Sequence, residues 1–243
     1  MLNDLQIARL MSKKILFGHQ SVGNNILKGI TDLTSADPRL KLNIVRSSDP
    51  QLIAGPALVE FSVGQNGDPQ SKIDAFTAVL DKWIGTERGI AMFKFCYVDI
   101  ERSTDIAKVA AAYGKAIRAL KGRHPSVQIV HVTVPLSAEE PRVQARIKRL
   151  MRRTTRAELN VKRNEFNDVL RKTYAASDPI FDLAAIESTH ADGSRCFFPL
   201  GNNKVYTLVP EYTEDGGHLN ELGRRLAAEE LLRVLAEAET GRP

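Results

Sequence analysis

Cysteine, aromatic residues and long apolar runs are all scarce in this chain, and each shortage closes off a class of protein. There are two cysteines, Cys96 and Cys196, one tryptophan, and 6% aromatic residues among 243. Two cysteines rule out a disulfide-stapled scaffold, and their separation lacks the paired spacing of a zinc site. Cys96 sits in the run FKFCYVDI and reads as a buried core thiol; a bridge to Cys196 requires a proximity that sequence does not show. No stretch reaches the roughly 18 uncharged apolar residues of a membrane span. The opening MLNDLQIARLMSKK is charged throughout and has no apolar h-region, so it does not read as a secretory signal. The expected location is cytoplasmic if the chain is complete, and periplasmic or secreted if a signal has been removed. Internal repeats, low-complexity tracts and Pro/Gly/Ser linkers are missing too. One domain over residues 1–243 is the economical reading.

Positive charge is present in excess, a formal +5, and it is unevenly spread. Residues 142 to 163, RVQARIKRLMRRTTRAELNVKR, are dense in Lys and Arg and hold a single acid, Glu158. The segment reads as a basic helical insertion at about 138–160. Val143, Ile147, Leu150 and Met151 recur at helical spacing, as on the apolar stripe of a solvated amphipathic helix. The alternative is contact with nucleic acid, an anionic lipid surface or an acidic polymer. No aromatic interleaves the cations, which disfavours nucleic acid as a partner.

Five apolar, β-rich runs alternate with helical patterns: 14–17 (KILF), 42–45 (LNIV), 90–97 (IAMFKFCY), 127–134 (VQIVHVTV) and 180–184 (IFDLA). Near-continuous apolar runs are what strands buried on both faces require. Between them, Asp68-Pro69 opens a helix with Ile73, Phe76, Leu80, Trp83 and Ile84 on one face. Ser103 or Thr104 is expected to cap the next, which stops near Gly122 and Pro125. Further helices are expected over about 160–174 and from near Asn220. Alternation of this kind argues for an α/β fold, a parallel sheet with helices on both faces. Ligands in such sheets bind beyond the carboxyl ends of the strands, so the residues that follow each run are the ones to inspect.

After the first run comes Gly18-His19-Gln20-Ser21-Val22-Gly23-Asn24-Asn25, then an apolar helix. A serine at this turn is presented at the sheet's edge, beside the free N–H groups and partial positive charge of a helix N-terminus. The plainer reading makes Ser21 only the N-cap. Near the end, Asp215-Gly216-Gly217-His218 precedes the last helix. A carboxylate three residues before a histidine in a glycine turn can fix the imidazole tautomer and stabilise the imidazolium. Of the other histidines, His131 reads as a core residue, His124 as a surface turn and His190 as a loop or rim residue. The stretch 189–215, expected to be mostly irregular, carries Phe197, Phe198, Tyr206 and Tyr212, which could wall a pocket or cover the sheet edge.

These pieces resemble the SGNH/GDSL hydrolase family. The resemblance rests on KILFGHQSVGNN, on the turn Val63-Gly64-Gln65-Asn66-Gly67, on Cys96-Tyr97-Val98-Asp99 and on Asp215-x-x-His218, in that order across nearly the whole chain. It implies a three-layer α/β/α sandwich on a five-stranded parallel sheet, flavodoxin-like, with no metal or organic cofactor. It also implies Ser21 as nucleophile, His218 as base and Asp215 as its orienting partner. The oxyanion hole would draw on the Ser21 and Gly64 amides and one side-chain donor. The sequence departs from the family in reading His-Gln-Ser for Gly-Asp-Ser, and Cys96-Tyr97-Val98-Asp99 for Gly-x-Asn-Asp. Val98 has no donor where the family has asparagine, and an ionised Asp99 would repel an oxyanion. Asn66 is the first candidate to replace the lost donor, Asn24 the second and Gln20 the third. His19, Gln20 and Asn24 are the expected substrate contacts, with His19 as readily filling space beneath the Ser21 turn.

The activity this implies is hydrolysis of a carboxylic ester with a small acyl group, on a small molecule or a carbohydrate, through an acyl-enzyme. An O-acyltransferase using the same triad is the alternative within chemistry. A catalytically silent binding module, favoured by the altered oxyanion block, is the alternative outside it. Oligomeric state is not legible.

Overall fold

The computed structural model describes residues 2–49, 53–83 and 88–239. In chain order the elements are α1 (Asp4–Met11), β1 (Lys14–His19), α2 (Val22–Ala36), β2 (Ile44–Arg46), β3 (Ala57–Ser62), α3 (Pro69–Trp83), β4 (Gly89–Phe93), α4 (Ile106–Arg123), β5 (Val127–Ile129), β6 (His131–Val132), α5 (Arg142–Leu150), α6 (Arg156–Tyr174), β7 (Ile180–Phe181), α7 (Leu183–Glu187), β8 (Phe197–Leu200), β9 (Asn203–Tyr206) and α8 (Glu221–Glu237). A five-stranded parallel sheet has the order β2-β3-β1-β4-β5. The Val130 N–H still reaches Ala91 O (3.0 Å), and β6 then pairs in parallel with β7. Counting β5 and β6 as one kinked strand and setting the edge strand β2 aside, the order β3-β1-β4-β5/6-β7 is the 2-1-3-4-5 of flavodoxin-type sheets. Its switch point lies between β1 and β4.

Side chains of β1 alternate between two cores, as period-two geometry demands. Ile15 and Phe17 join Ile26, Ile30, Leu231 and Leu235 under α2 and α8. Leu16 joins Val59, Phe76, Phe93, Ile117 and Phe166 under α3, α4 and α6. Each such fully buried side chain contributes about 1.5–3 kcal/mol. The result is a three-layer α/β/α sandwich, with the termini of β1 and β4 fixed from both sides.

Several details differ from the sequence reading. The second expected run supplies only the short edge strand β2, and its interior neighbour β3 (ALVEFS) had not been expected to be a strand. Glu60 breaks its apolar pattern, yet Glu60 is buried because His19 Nε2 meets its carboxylate at 3.0 Å. The α4 cap is Asp105, which accepts from the Lys108 N–H, rather than Ser103 or Thr104. Stretch 189–215 is more ordered than expected, with the antiparallel hairpin β8–β9 and a 3-10 turn at Pro210–Tyr212. Tyr212 is buried, its hydroxyl donates to Thr189 O, and it forms part of the wall of a groove beside α8. His124 is likewise buried, against Asp81 (2.7 Å), and not a surface turn. Ile84 of the expected α3 stripe lies outside the described residues. Cys96 and Cys196 are free thiols, Cys96 buried.

The segment from Val134 to Ala138 leaves the sheet extended and buried, so its backbone needs partners from elsewhere. Helix α6 supplies them. Asn167 bonds both the N–H and the C=O of Val134 (2.7 and 2.9 Å), and Asn160 does the same for Ser137 (3.1 and 2.6 Å). Glu187 accepts from the Leu136 N–H. The segment ends with the Ala138 N–H on Gly216 O (3.0 Å), which ties it to the turn that carries Asp215 and His218.

Candidate active site

Ser21 follows β1 at the switch point and opens α2. Its backbone is in the left-handed region (φ 53°), uncommon for a residue with a Cβ, and its side chain makes no capping hydrogen bond. A serine that served only as an N-cap would have extended backbone and an Oγ bonded to the second or third helical amide. Here Oγ is instead 2.7 Å from His218 Nε2. His218 Nδ1 is 2.6 Å from Asp215 Oδ2, while Asp215 Oδ1 accepts from the Gly217 and His218 amides (2.8 Å each). Partial burial pushes the Asp215 carboxyl up, but the bonds from the His218 ring and the two amides outweigh it and hold it well below the usual carboxylate range. It therefore stays ionised and fixes Nδ1 as the protonated nitrogen, leaving Nε2 to accept from Ser21. Asn25 Oδ1 accepts from the Leu219 N–H (3.2 Å), fastening the helix after Ser21 to the turn of His218 across 194 positions.

The glycine turn after β3 meets the same rim. Gly64 has φ +53°, and a Cβ there would lie 2.6 Å from the backbone nitrogen of Lys72, so only glycine lets this loop lie against α3. Gln20 donates to Val63 O (3.0 Å) and Gly64 O (2.6 Å), pinning the loop to the Ser21 turn. Lys72, fully buried, holds Asn66 Oδ1 (2.9 Å) and pairs with the equally buried Asp99 (2.9 Å). Asp99 also accepts from the Gly67 and Cys96 amides. Turned inward in this way, it staples two loops together instead of facing an oxyanion, which corrects the expectation drawn from its type. Val98, at the position of the missing asparagine, is partly exposed.

Tyr97, one residue earlier, is the side chain that sequence reasoning missed. Its ring stands edge-on to His218 with centroids 5.8 Å apart, and its phenol lies within electrostatic reach of the Ser21 side chain. Gly217 makes room: a Cβ there would already touch the ring at 3.3 Å. The buried Arg163 donates to Tyr97 O (3.0 Å) and to Ser137 Oγ (2.8 Å), clamping this turn to the Val134–Ala138 segment. Burial and the nearby Asp215 charge raise the Tyr97 phenol above its ordinary value, against the Ser21 hydroxyl and Arg163, so it keeps its proton at neutral pH. The available signal was a hydroxyl-bearing residue beside the lost asparagine, at the end of a central strand.

Of its two expected roles, His19 takes the one beneath the turn: it is buried under Ser21 against Glu60 and Phe17. Burial and the cations Lys94 and Arg46 lower it to about 3, so its ring is neutral. The Gln20 amide is committed to the Gly64 loop, which makes it a positioning group. Asn24 is exposed in the first turn of α2, and Asn66 is exposed with its NH₂ end turned away from Lys72. His131 is buried, bonded to Tyr113 (2.7 Å) and stacked on Tyr174. Asp215 and His218 themselves are open to solvent, with side chains 57% and 43% exposed. A groove of about 840 Å³ lies elsewhere, between α1, α2, α7 and α8, and includes no triad residue. Among the described residues, no cluster of His, Cys, Asp and Glu could hold a metal ion.

No family model matches this chain, and no curated protein does. Solved structures do. A GDSL-like lipase from Bacteroides thetaiotaomicron superposes with TM-score 0.55 at 11% identity, covering 93% of this chain and 88% of that one. The acetyl xylan esterase AlAXEase gives 0.52 at 13%, with 90% and 97% covered. A lipolytic protein of the G-D-S-L family from Veillonella parvula gives 0.50 at 15%, with 90% and 96% covered. At these identities the likeness is one of fold.

Proposed function

We propose that this chain, which has the fold of the GDSL lipolytic proteins, is a serine esterase that removes a short acyl group from an alcohol. The observation that carries the reading is the unbroken relay from Ser21 Oγ to His218 Nε2 and from His218 Nδ1 to Asp215, at 2.7 and 2.6 Å. It is joined to a strained serine backbone that capping does not explain. Ser21 Oγ attacks the ester carbonyl while His218 takes its proton. The imidazolium, stabilised by Asp215, returns the proton to the departing alcohol, and the same base then draws a proton from water to release the acid. The solvent-open triad suits a bulky alcohol, such as a carbohydrate, lying across the rim.

The developing oxyanion is held by the Ser21 and Gly64 amides, with Tyr97 in place of the missing asparagine. In the tetrahedral intermediate the oxyanion and Oγ share one carbon. A hydroxyl held close beside Ser21 therefore reaches the oxyanion with little movement. Preorganised donors of this kind are worth more here than in water.

The test is labelling with a fluorophosphonate and mapping of the modified residue, together with hydrolysis of p-nitrophenyl acetate. Label on Ser21, and no hydrolysis by Ser21→Ala, is the expected result. Hydrolysis retained by Ser21→Ala would remove the assignment.

A further inference from the structure

Helix α5 presents the wrong side to water. Val143, Ile147, Leu150 and Met151, at i, i+4, i+7 and i+8, form one stripe, and they are between 51% and 86% exposed. The side toward the protein is the polar one: Lys148 is half-buried in an ion pair with the buried Glu140, which also accepts from the Arg156 N–H. A surface helix that packed on a core would be turned the other way. Arg146, Arg152 and Arg153 are exposed on the helix and the turn after it, and no acid occurs from Arg142 until Glu158.

We infer that α5 is an interfacial helix that seats this protein on an anionic lipid surface. An outward apolar stripe flanked by arginines matches the two attractions such a surface offers, burial among acyl chains and neutralisation of headgroup charge. Nucleic acid would use the cations but leave the stripe wet, and the segment has no aromatic side chain to stack on bases. A second copy of the chain would cover the stripe but bring like charges face to face. The chain on either side of the helix is tied to the turn of the candidate triad, before it through the Ala138 N–H on Gly216 O (3.0 Å) and after it through Arg156 Nη2, at the start of α6, on Asp215 O (2.6 Å). Seating α5 therefore brings that turn to the lipid surface, although the seating itself stands whether or not the chain hydrolyses esters.

The experiment is flotation of the full chain with vesicles of phosphatidylcholine alone and of phosphatidylcholine mixed with phosphatidylglycerol. Binding is expected only to the mixed vesicles and is weakened by salt. Ile147→Asp with Leu150→Asp is expected to lower partitioning at least about tenfold. Arg146→Glu with Arg152→Glu is expected to lower it by about fivefold or more per charge. Circular dichroism and the melting temperature should be unchanged in both variants, since these side chains are exposed. Equal binding to both vesicle types, or unaltered flotation of the Asp variant, would overturn the proposal. So would a dimer in sedimentation that the Asp variant dissociates, without flotation, or salt-sensitive binding to an oligonucleotide that the Asp variant retains.

Discussion

Ser21, Tyr97 and Asp215 illustrate how much one side chain's surroundings decide. Ser21 holds a left-handed backbone with no cap bond, an arrangement that costs on the order of 1–3 kcal/mol and persists only where neighbours enforce it. Replacing Asp215 by Asn should leave the turn's geometry but destabilise the working tautomer of His218, lowering kcat by about 10⁴ in a p-nitrophenyl acetate assay. Tyr97→Phe removes one donor and little volume. Its kcat is expected to fall by about 10²–10³, with KM nearly unchanged and fluorophosphonate labelling of Ser21 preserved but slower. Asn66→Ala should do much less. The reverse ranking would hand the donor role to Asn66.

At the scale of elements, the site depends on loops held by buried polar staples. Lys72 from α3 and Asp99 after β4 form an ion pair that water does not reach, and between them they grip Asn66, the Gly67 amide and the Cys96 amide. Removing one member strands the other. Lys72→Met is expected to cost about 3–5 kcal/mol in urea unfolding, more than a surface lysine would. Gly64→Ala adds a left-handed strain of about 1–3 kcal/mol. It also pushes the loop off α3, so kcat should drop with the melting temperature. A variant as active and as stable as the parent would mean that this loop lies outside the site. The Asn160 and Asn167 clamps of α6 show the same economy, since two amide side chains satisfy a strandless segment that would otherwise be unable to stay buried.

For the whole molecule, buried titratable groups set the pH range of stability. Burial lowers His19 to about 3 and His131 to about 4, the latter against the pull of Asp178. Both are neutral in the folded chain, and the unfolded chain binds more protons from the ordinary value near 6.5 downward, so stability falls as pH drops through that window. Glu187 is the opposite case. Burial raises it to about 8, against the Leu136 amide, Lys94 and Arg163, so the folded chain holds its proton at neutral pH. Its contribution is lost as pH rises from about 4.5 to about 8. By themselves these three groups place the maximum near pH 6–7, and the lowered ammonium groups of Lys13 and Lys94 oppose the fall on the alkaline side. Urea unfolding from pH 4.5 to 9 should trace that dome, and Glu187→Gln should flatten its alkaline side. An alkaline side unchanged in that variant would exclude Glu187 as the cause.

Much of this architecture was legible before any coordinates. Continuous apolar runs separated by helical periodicity are local properties, and they were enough for a parallel sheet with helices on both faces. The positions of Ser21 and of Asp215-x-x-His218, each next to a helix start, were legible for the same reason. What remained hidden were the polar groups whose environment is made by distant partners. Glu60 concealed β3 until His19, 41 positions away, was seen to satisfy it. Asp99 by its type would repel an oxyanion, and only its pairing with Lys72 turns that charge away from the site. Tyr97 ranks as a donor only because folding sets its ring beside Ser21 and His218, and α5 reads as an ordinary amphipathic helix until its apolar side is found to face outward. Periodicity fixes which residues share a face; the direction in which that face points, and which buried charge meets which partner, is decided by long-range packing.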